Sequence, residues 1–138
     1  MRLLVTGGLG YVGGFTARAL AAAGHEVTLF DNLSTGRRGP SHKLPLVVGD
    51  CRDVSTLTGI LSHGRIEAVL HFAGLSEVGA SAFDPAAYYA QNVGGSLGVL
   101  EALRAAGVPH LVFSSSAAVY GNPETQPIPE DAPHAPGN

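Results

Sequence analysis

Three glycines near the N-terminus have a spacing that suits phosphate binding. Gly7, Gly10 and Gly13 lie just after the predicted strand 2–5 and directly before an alanine-rich stretch. In such a loop the first glycine allows a sharp turn off a strand, the second lets the backbone approach a pyrophosphate, and the third lets a helix pack closely. The helix N-terminus then directs its N–H groups at the phosphates. The glycines could form only a tight turn, but their position between strand and helix predicts a dinucleotide site.

Asp31 directly follows the second predicted strand, downstream of these glycines. At this position a carboxylate accepts hydrogen bonds from the ribose hydroxyls of adenosine and repels a 2′-phosphate. The sequence therefore favours NAD over NADP as the cofactor. An aspartate that merely turns the chain is the alternative. Arg37 and Arg38 follow closely and could receive a 2′-phosphate, yet NAD remains the predicted cofactor.

Polar or small residues also follow the third and fourth predicted strands. Asp50 and Cys51 could line an adenine pocket, with Asp50 accepting a hydrogen bond from the exocyclic amine, although a turn-forming aspartate is an equal alternative. The segment 71–74 ends the fourth strand, where the small residues Ala73 and Gly74 let the backbone pass near the cofactor. His71 is predicted to be a structural histidine with satisfied hydrogen bonds, not a catalyst. The six histidines and the cysteine lack metal-ligand spacing, so no metal is expected.

Composition limits the class of protein. The chain has 138 residues, 45% of them hydrophobic and 14% charged, which suits one globular domain with a core. A net charge of −3 without a run of Lys or Arg argues against nucleic-acid binding. One cysteine excludes an internal disulfide and suits a reducing compartment. No signal peptide or membrane-spanning stretch is evident, so we expect a soluble, cytoplasmic protein without membrane contact.

The elements that position these residues alternate between strand and helix. Alternation of this kind predicts an α/β fold of Rossmann type, a doubly wound parallel sheet in the order 3-2-1-4-5 with its ligand at the carboxyl ends of the strands. Residues 1–120 are expected to form the N-terminal part of a dinucleotide-binding domain, and 121–138, with five prolines, a loop-like tail. Strands are predicted at 2–5, 26–30, 44–48, 66–72 and 110–115, and helices at 11–23, 54–61 and 85–106.

Five segments together resemble one family. Thr-Gly-Gly-x-Gly-Tyr-Val-Gly, Asp-Asn-Leu at 31–33, Gly-Asp at 49–50, His-Phe-Ala-Gly at 71–74 and Ser-Ser-Ser-Ala-Ala-Val-Tyr-Gly at 114–121 occur in the order seen in extended short-chain dehydrogenases. Within that family the chain is similar to UDP-hexose 4-epimerases. The resemblance implies that NAD is held at its pyrophosphate by Gly7, Gly10, Tyr11, Val12 and Gly13, and at its adenosine by Asp31, Asn32, Asp50 and Cys51. It also implies a nicotinamide path along Phe72, Ala73, Gly74, Asn92 and Ser114, and a catalytic hydroxyl at Ser116.

The same resemblance implies a reaction. A tyrosine takes a proton from the 4-hydroxyl of a UDP-sugar as hydride passes to NAD, and a lysine four residues later lowers the pKa of the tyrosine. No tyrosine of this chain has a lysine four residues on. In the family pattern the motif belongs on the helix beyond Ser116, past Asn138. We therefore expect the chain to be truncated before its catalytic base, without the carboxy-terminal substrate domain, and inactive alone.

Two alternatives stay open, together with one expectation about assembly. The first is another NAD-dependent sugar-nucleotide enzyme, an epimerase, a dehydratase or a decarboxylase. Dehydratases need an acidic pair where Ala117 and Ala118 stand. The second is a non-catalytic NAD-binding module.

Three glycines within 92–98 of the long predicted helix indicate either close helix packing or approach of the cofactor or a second subunit. In the family this helix belongs to a dimer interface, so a homodimer is expected for the complete protein.

Overall fold

The computed structural model describes residues 1–36 and 43–137 of the chain. Its centre is a sheet of five parallel strands in the order β3-β2-β1-β4-β5. This is the predicted strand order, and only the strand ends differ, by up to two residues. Leu46 rather than Leu44 begins the third strand, because Pro45 cannot donate to the ladder. The strands are β1 Arg2–Thr6, β2 Glu26–Asp31, β3 Leu46–Val48, β4 Ala68–His71 and β5 His110–Phe113.

Helices cover both faces of this sheet, as a parallel sheet requires. Neighbouring residues of a strand point to opposite faces, so Leu4 and Val5 of β1 belong to different core clusters. Leu4 packs with residues of α2 (Val54–His63) and α5 (Gly95–Ala106), and Val5 packs with α1 (Tyr11–Ala22). The predicted doubly wound α/β fold is therefore confirmed.

The first helix packs through small residues. Its spacing of Val12 and Phe15 predicts a helix correctly, but both side chains are exposed. Gly13, Gly14 and Ala17 form the buried side instead. At Gly13 there is no room for a side chain, because the helix lies directly on the loop that precedes it.

Caps define the second helix and the long helical region. Asp53 caps α2 by accepting a hydrogen bond from Thr56 N at 3.0 Å, as the sequence predicts. Asp84 does the same for α4 (Pro85–Tyr88) through Ala87 N. The predicted helix 85–106 consists of α4, a π-helical segment Tyr89–Gly94 and α5. A short helix before it, α3 (Val78–Phe83), is not predicted by the sequence.

Residues after β5 form a 3₁₀ turn and then an irregular segment. The turn covers Ala117–Tyr120, and 121–137 contain no helix or strand, as the prolines predict. The irregular segment returns to the turn, where Ala135 N donates to the carbonyl of Val119 at 2.9 Å. Within the described residues, no helix is both long and apolar enough to cross a bilayer.

Candidate functional site

A cleft runs along the carboxyl ends of the central strands. It consists of a larger hollow of about 620 Å³ beside β1, β4 and β5 and a smaller one of about 70 Å³ toward β2 and β3. The two hollows share walls, so a single extended ligand could occupy both. The shared residues are Gly7, Gly10, Thr35, Phe72, Ala73, Gly74 and Leu75. This is the place predicted for a ligand of a doubly wound sheet.

The glycine loop is shaped by two close backbone contacts. Gly7 has φ +67°, a conformation that favours glycine, and a Cβ there would lie 2.7 Å from Ala73 N. A Cβ on Gly13 would overlap the carbonyl oxygen of Gly7. The first contact joins the ends of β1 and β4, and the second joins the loop to α1. Both contacts keep side chains out of the floor of the cleft.

The N-terminus of α1 faces the larger hollow. Gly10 caps this helix without a side-chain hydrogen bond, and no acidic residue lies in the first turn. Tyr11, Val12 and Gly13, the first residues of the helix, line the hollow. The first N–H groups of an α-helix have no partner within the helix, and its dipole favours an anion there. No Lys or Arg lines either hollow in the described part of the chain.

Asp31 is buried at the boundary of the smaller hollow. One carboxylate oxygen accepts from Leu9 N at 3.0 Å and the other from Leu33 N at 2.9 Å. The side chain thus fastens the glycine loop to β2. Each carboxylate oxygen can accept a second hydrogen bond, which leaves capacity for ribose hydroxyls. Asn32 lines the same hollow, whereas Arg37 and Arg38 lie outside the described residues.

Asp50 and Cys51 differ in how they relate to the cleft. The carboxylate of Asp50 forms an ion pair with Arg52 at 2.6 Å and does not line either hollow. Hydrogen bonds from Arg52 lower the pKa of Asp50 to about 2. Cys51 is buried and lines the smaller hollow beside Gly49. Burial raises the pKa of its thiol to about 12, so the thiol is not a nucleophile.

The wall at 72–75 is fixed by Asn92. Its side-chain oxygen accepts from Leu75 N at 2.7 Å, and its amide nitrogen donates to the carbonyl of Leu75 at 2.9 Å. A Cβ on Gly74 would lie 3.2 Å from the Asn92 oxygen. Asn92 therefore pins this backbone segment to the π-helical segment, as well as lining the larger hollow.

Serines at the end of β5 close the larger hollow. Ser114 and Ser116 are exposed there, and Ser114 N donates to the carbonyl of His71 at 3.1 Å. Ser116 caps the 3₁₀ turn, its oxygen accepting from Ala118 N at 3.2 Å. Its hydroxyl is thus held by the backbone while exposed to the cleft.

His71 lies beneath the same hollow, and both ring nitrogens have partners. Nδ1 lies 2.6 Å from the Thr6 hydroxyl, and Nε2 lies 3.2 Å from the Ser96 hydroxyl. Desolvation by burial lowers the pKa of this histidine. This is the satisfied, buried histidine that the sequence predicts. In the described part of the chain, no group of three His, Cys, Asp or Glu residues could hold a metal ion.

Comparison with known proteins decides the family. The sequence profile of the NAD dependent epimerase/dehydratase family matches residues 3–138. The chain belongs to that family. The name of the family gives NAD as the cofactor, which is the cofactor that the sequence predicts.

Within the family, the chain is similar to UDP-glucose 4-epimerases, both in sequence and in structure. UDP-glucose 4-epimerases of Corynebacterium glutamicum and Streptomyces lividans are each 49% identical to the chain, over 100% and 99% of it. A UDP-glucose 4-epimerase structure from Stenotrophomonas maltophila, with bound NAD and formylated UDP-arabinopyranose, matches 98% of the chain with a TM-score of 0.93 and 38% identity. One from Brucella ovis, in complex with NAD, matches 98% with a TM-score of 0.92 and 40% identity.

The chain is much shorter than these family members. It spans 42% of the length of each of the two relatives, 43% of the Stenotrophomonas chain and 42% of the Brucella chain. The match therefore concerns less than half of each of these family members.

Several cleft residues of this family member are not predicted by the sequence. Thr35 and Gly36 complete the smaller hollow, and Gly36 lies so close to Asp31 that a Cβ would be 3.0 Å from its carboxylate. A glycine shortly after a strand-ending aspartate is the signal that could have indicated this contact. Gln91 and Phe113 reach the cleft from separate elements, and no local pattern marks them.

Proposed function

We propose that this chain binds NAD in the cleft at the carboxyl ends of the strands. The observation that carries the proposal is that a glycine loop and a helix N-terminus without a side-chain cap line one cleft, whose described walls contain no cationic side chain. Backbone amides and a helix dipole bind a pyrophosphate without such side chains. The narrow floor at Gly7 and Gly13, where a Cβ would collide, fits close approach of the phosphates.

In this proposal the pyrophosphate lies over the start of α1, and the adenosine lies in the smaller hollow. Gly7, Gly10, Tyr11, Val12 and Gly13 contact the phosphates. Asp31 and Asn32 bind the ribose, because Asp31 retains acceptor capacity beyond its two backbone partners. The buried carboxylate also disfavours a 2′-phosphate, which supports NAD over NADP.

The adenine and nicotinamide ends are proposed from the remaining lining residues. Cys51 contacts adenine through its apolar thiol. Asp50, which is paired with Arg52 outside both hollows, is not part of this proposed contact. The nicotinamide end passes along the segment 72–74, Asn92 and Ser114, which line the larger hollow. That hollow also has room for part of a substrate beside the cofactor.

For the longer protein implied by the relatives, we propose UDP-glucose 4-epimerase activity on a UDP-sugar. NAD supplies the hydride acceptor for such a reaction. Ser116 donates a hydrogen bond to the 4-oxygen of the sugar, a role that suits a hydroxyl held at the cleft mouth by Ala118 N. The proton acceptor is a Tyr-x-x-x-Lys pair that these 138 residues do not contain. A cytoplasmic homodimer is part of the same proposal.

Calorimetric titration of the 138-residue chain with NAD and with NADP tests cofactor binding. We expect saturable binding of NAD at one site and weaker binding of NADP. Gly7→Ala should abolish binding, because its Cβ would meet Ala73 N. Gly24→Ala is the matched control, since Gly24 also has positive φ, at +88°, but has nothing within 4 Å. Equal loss of binding in both variants, or no binding by the unmodified chain, would argue against the proposal.

A coupled assay for interconversion of UDP-glucose and UDP-galactose tests the activity. We expect no turnover by the 138-residue chain, and turnover by a version extended through the tyrosine and lysine. In the extended protein Ser116→Ala should lower kcat about 10²–10⁴-fold, the usual contribution of a group that assists proton transfer. Turnover by the short chain would show that the base has been assigned wrongly.

A further inference from the structure

The hydrogen bonds of His71 have a defined direction. The Ser96 hydroxyl donates its only hydrogen to the carbonyl of Asn92, at 2.6 Å. Toward Nε2 of His71, 3.2 Å away, Ser96 can therefore only accept. Nε2 must carry a hydrogen, and in the neutral ring Nδ1 is then an acceptor. The Thr6 hydroxyl, 2.6 Å from Nδ1, donates to it.

The three hydrogen-bonded residues Thr6, His71 and Ser96 belong to three walls of the cleft. Thr6 ends β1 directly before the glycine loop, and His71 ends β4 directly before the segment 72–74. Ser96 lies in the first turn of α5, four residues after Asn92, whose side chain pins Leu75. The backbone already joins the two strands, since Phe72 N donates to the carbonyl of Thr6 at 3.1 Å. The bond from His71 to Ser96 adds a polar link from the strands to the helix beneath the cleft.

We infer that His71 is a positioning residue, a neutral imidazole with its hydrogen on Nε2, which anchors the helix carrying Asn92 to the strand ends beneath the cleft. It does not touch the cofactor's reacting atoms in this role. Through Ser96 it holds Asn92, and through Asn92 it holds the backbone at Leu75. The inference rests on the proposed function in one respect only, the identity of the ligand. That ligand is NAD, and its nicotinamide end would contact the wall at 72–75.

The surroundings of the ring agree with a neutral form. His71 is 3% exposed, and burial lowers its pKa. The ring of Phe113 lies beside it, with centroids 5.8 Å apart. An imidazolium here would need a hydrogen on Nδ1 and would reverse the bond from Thr6. Burial of an unpaired charge among these groups is unfavourable.

The direct test is NMR of the 138-residue chain with ¹⁵N-labelled histidine at neutral pH. We expect His71 to show a protonated Nε2 and an unprotonated Nδ1. A hydrogen on Nδ1, or on both nitrogens, would overturn the assignment. This measurement requires neither NAD nor a variant, so it is independent of the proposed function.

Variants then test the positioning role. His71→Gln places an amide donor near Nε2 and retains the link to Ser96, whereas His71→Asn retains only an acceptor near Thr6. We expect the amide hydrogen of Leu75 to exchange faster in His71→Asn and in Ser96→Ala, and at the unmodified rate in His71→Gln. Combining His71→Asn with Ser96→Ala should add nothing further, because both remove the same link. His110→Asn and His110→Gln, at an exposed position, are matched controls.

NAD affinity is the second measurement for the same variants. We expect the dissociation constant to rise about tenfold in His71→Asn and Ser96→Ala, the effect of one lost buried hydrogen bond, and to be restored in His71→Gln. Equal behaviour of the Asn and Gln variants, in exchange and in affinity, would overturn the positioning role. If no version binds NAD, the proposed function fails, and the exchange of Leu75 still decides the role of His71. If His71→Asn does not fold, the Leu75 exchange rate and the NAD affinity of Ser96→Ala test the same positioning role.

Discussion

The Cα of Gly13 lies so close to the carbonyl oxygen of Gly7 that a methyl group on Gly13 would overlap it. Because this contact joins the glycine loop to α1, it sets how the helix N-terminus faces the cleft. We expect Gly13→Ala to reduce the free energy of unfolding by about 1–3 kcal/mol, the usual effect of overpacking, and to weaken NAD binding. Urea denaturation and NAD titration are the measurements.

Gly79→Ala is the control for this substitution, since Gly79 has nothing within 4 Å. It should leave the NAD affinity unchanged and should not lower the unfolding midpoint, since alanine is also the better helix former in α3. If Gly13→Ala and Gly79→Ala behave alike, the close packing of loop and helix does not matter to the fold or the cleft.

Two glycines inside helices should respond oppositely to alanine. Gly98 of α5 packs against the backbone of Cys51, and a Cβ there would overlap the Cys51 carbonyl. Gly59 of α2 has nothing within 4 Å. We expect Gly98→Ala to destabilise by about 1–3 kcal/mol, and Gly59→Ala to stabilise by about 0.5–1 kcal/mol through helix propensity. Thermal unfolding of the two variants checks the signs.

The same pair of variants distinguishes packing from propensity. If both glycines cost stability only because they are poor helix formers, both alanine variants would melt higher than the unmodified chain. A gain in Gly98→Ala would thus contradict close packing of α5 on the segment that follows β3.

Local sequence patterns predict the strands and the caps because these depend on neighbouring residues. Asp53 and Asp84 cap helices where the sequence places them, and the apolar run through Leu4 and Val5 forms a central strand. Gly24 ends the first helical region with φ +88°, as expected of a glycine at this position. Each of these features is decided within a few residues of the chain.

Contacts between distant segments could not be predicted in the same way. The buried side of α1 is not the side with Val12 and Phe15, because the glycine loop packs beneath the helix and leaves no room for a side chain at Gly13. The carboxylate of Asp50 pairs with Arg52 and does not line the cleft. The position of Asp50 at the end of a strand does not determine which of these it does. Gln91 belongs to the π-helical segment and lines the cleft because that segment lies beside it.

The ion pair of Asp50 and Arg52 should make a small, acid-sensitive contribution to stability. Arg52 lowers the pKa of Asp50 from 3.8 to about 2 in the folded state. A lowered pKa gives stability that is present above pH 4 and is lost as pH falls through 2, because the unfolded state then binds the proton more readily. We expect Asp50→Asn to lower the urea midpoint slightly at pH 6.

Well below pH 2, the unmodified chain and Asp50→Asn should have the same urea midpoint, since the carboxyl is then protonated in both the folded and the unfolded state. Asp53→Asn is an informative comparison, because that carboxylate caps α2 and its pKa is also lowered, by Thr56. A difference for Asp50→Asn that persists unchanged at pH 2 would mean that the ion pair is not its cause.

The thiol of Cys51 should be inert in the folded protein. It is 3% exposed, and burial raises its pKa to about 12, so almost no thiolate forms at pH 8. We expect modification by a disulfide reagent to be slow in the native state and complete, at one thiol per chain, in urea. Rapid reaction in buffer would contradict the packing of Cys51 against α5.

Crystals of the 138-residue chain grown with saturating NAD would test the central proposal most directly. We expect the pyrophosphate to lie against the backbone amides at Gly10 and the first turn of α1, with adenosine beside Asp31. NAD bound elsewhere would contradict it. So would the absence of NAD from the cleft both in this chain and in a version extended through the Tyr-x-x-x-Lys motif.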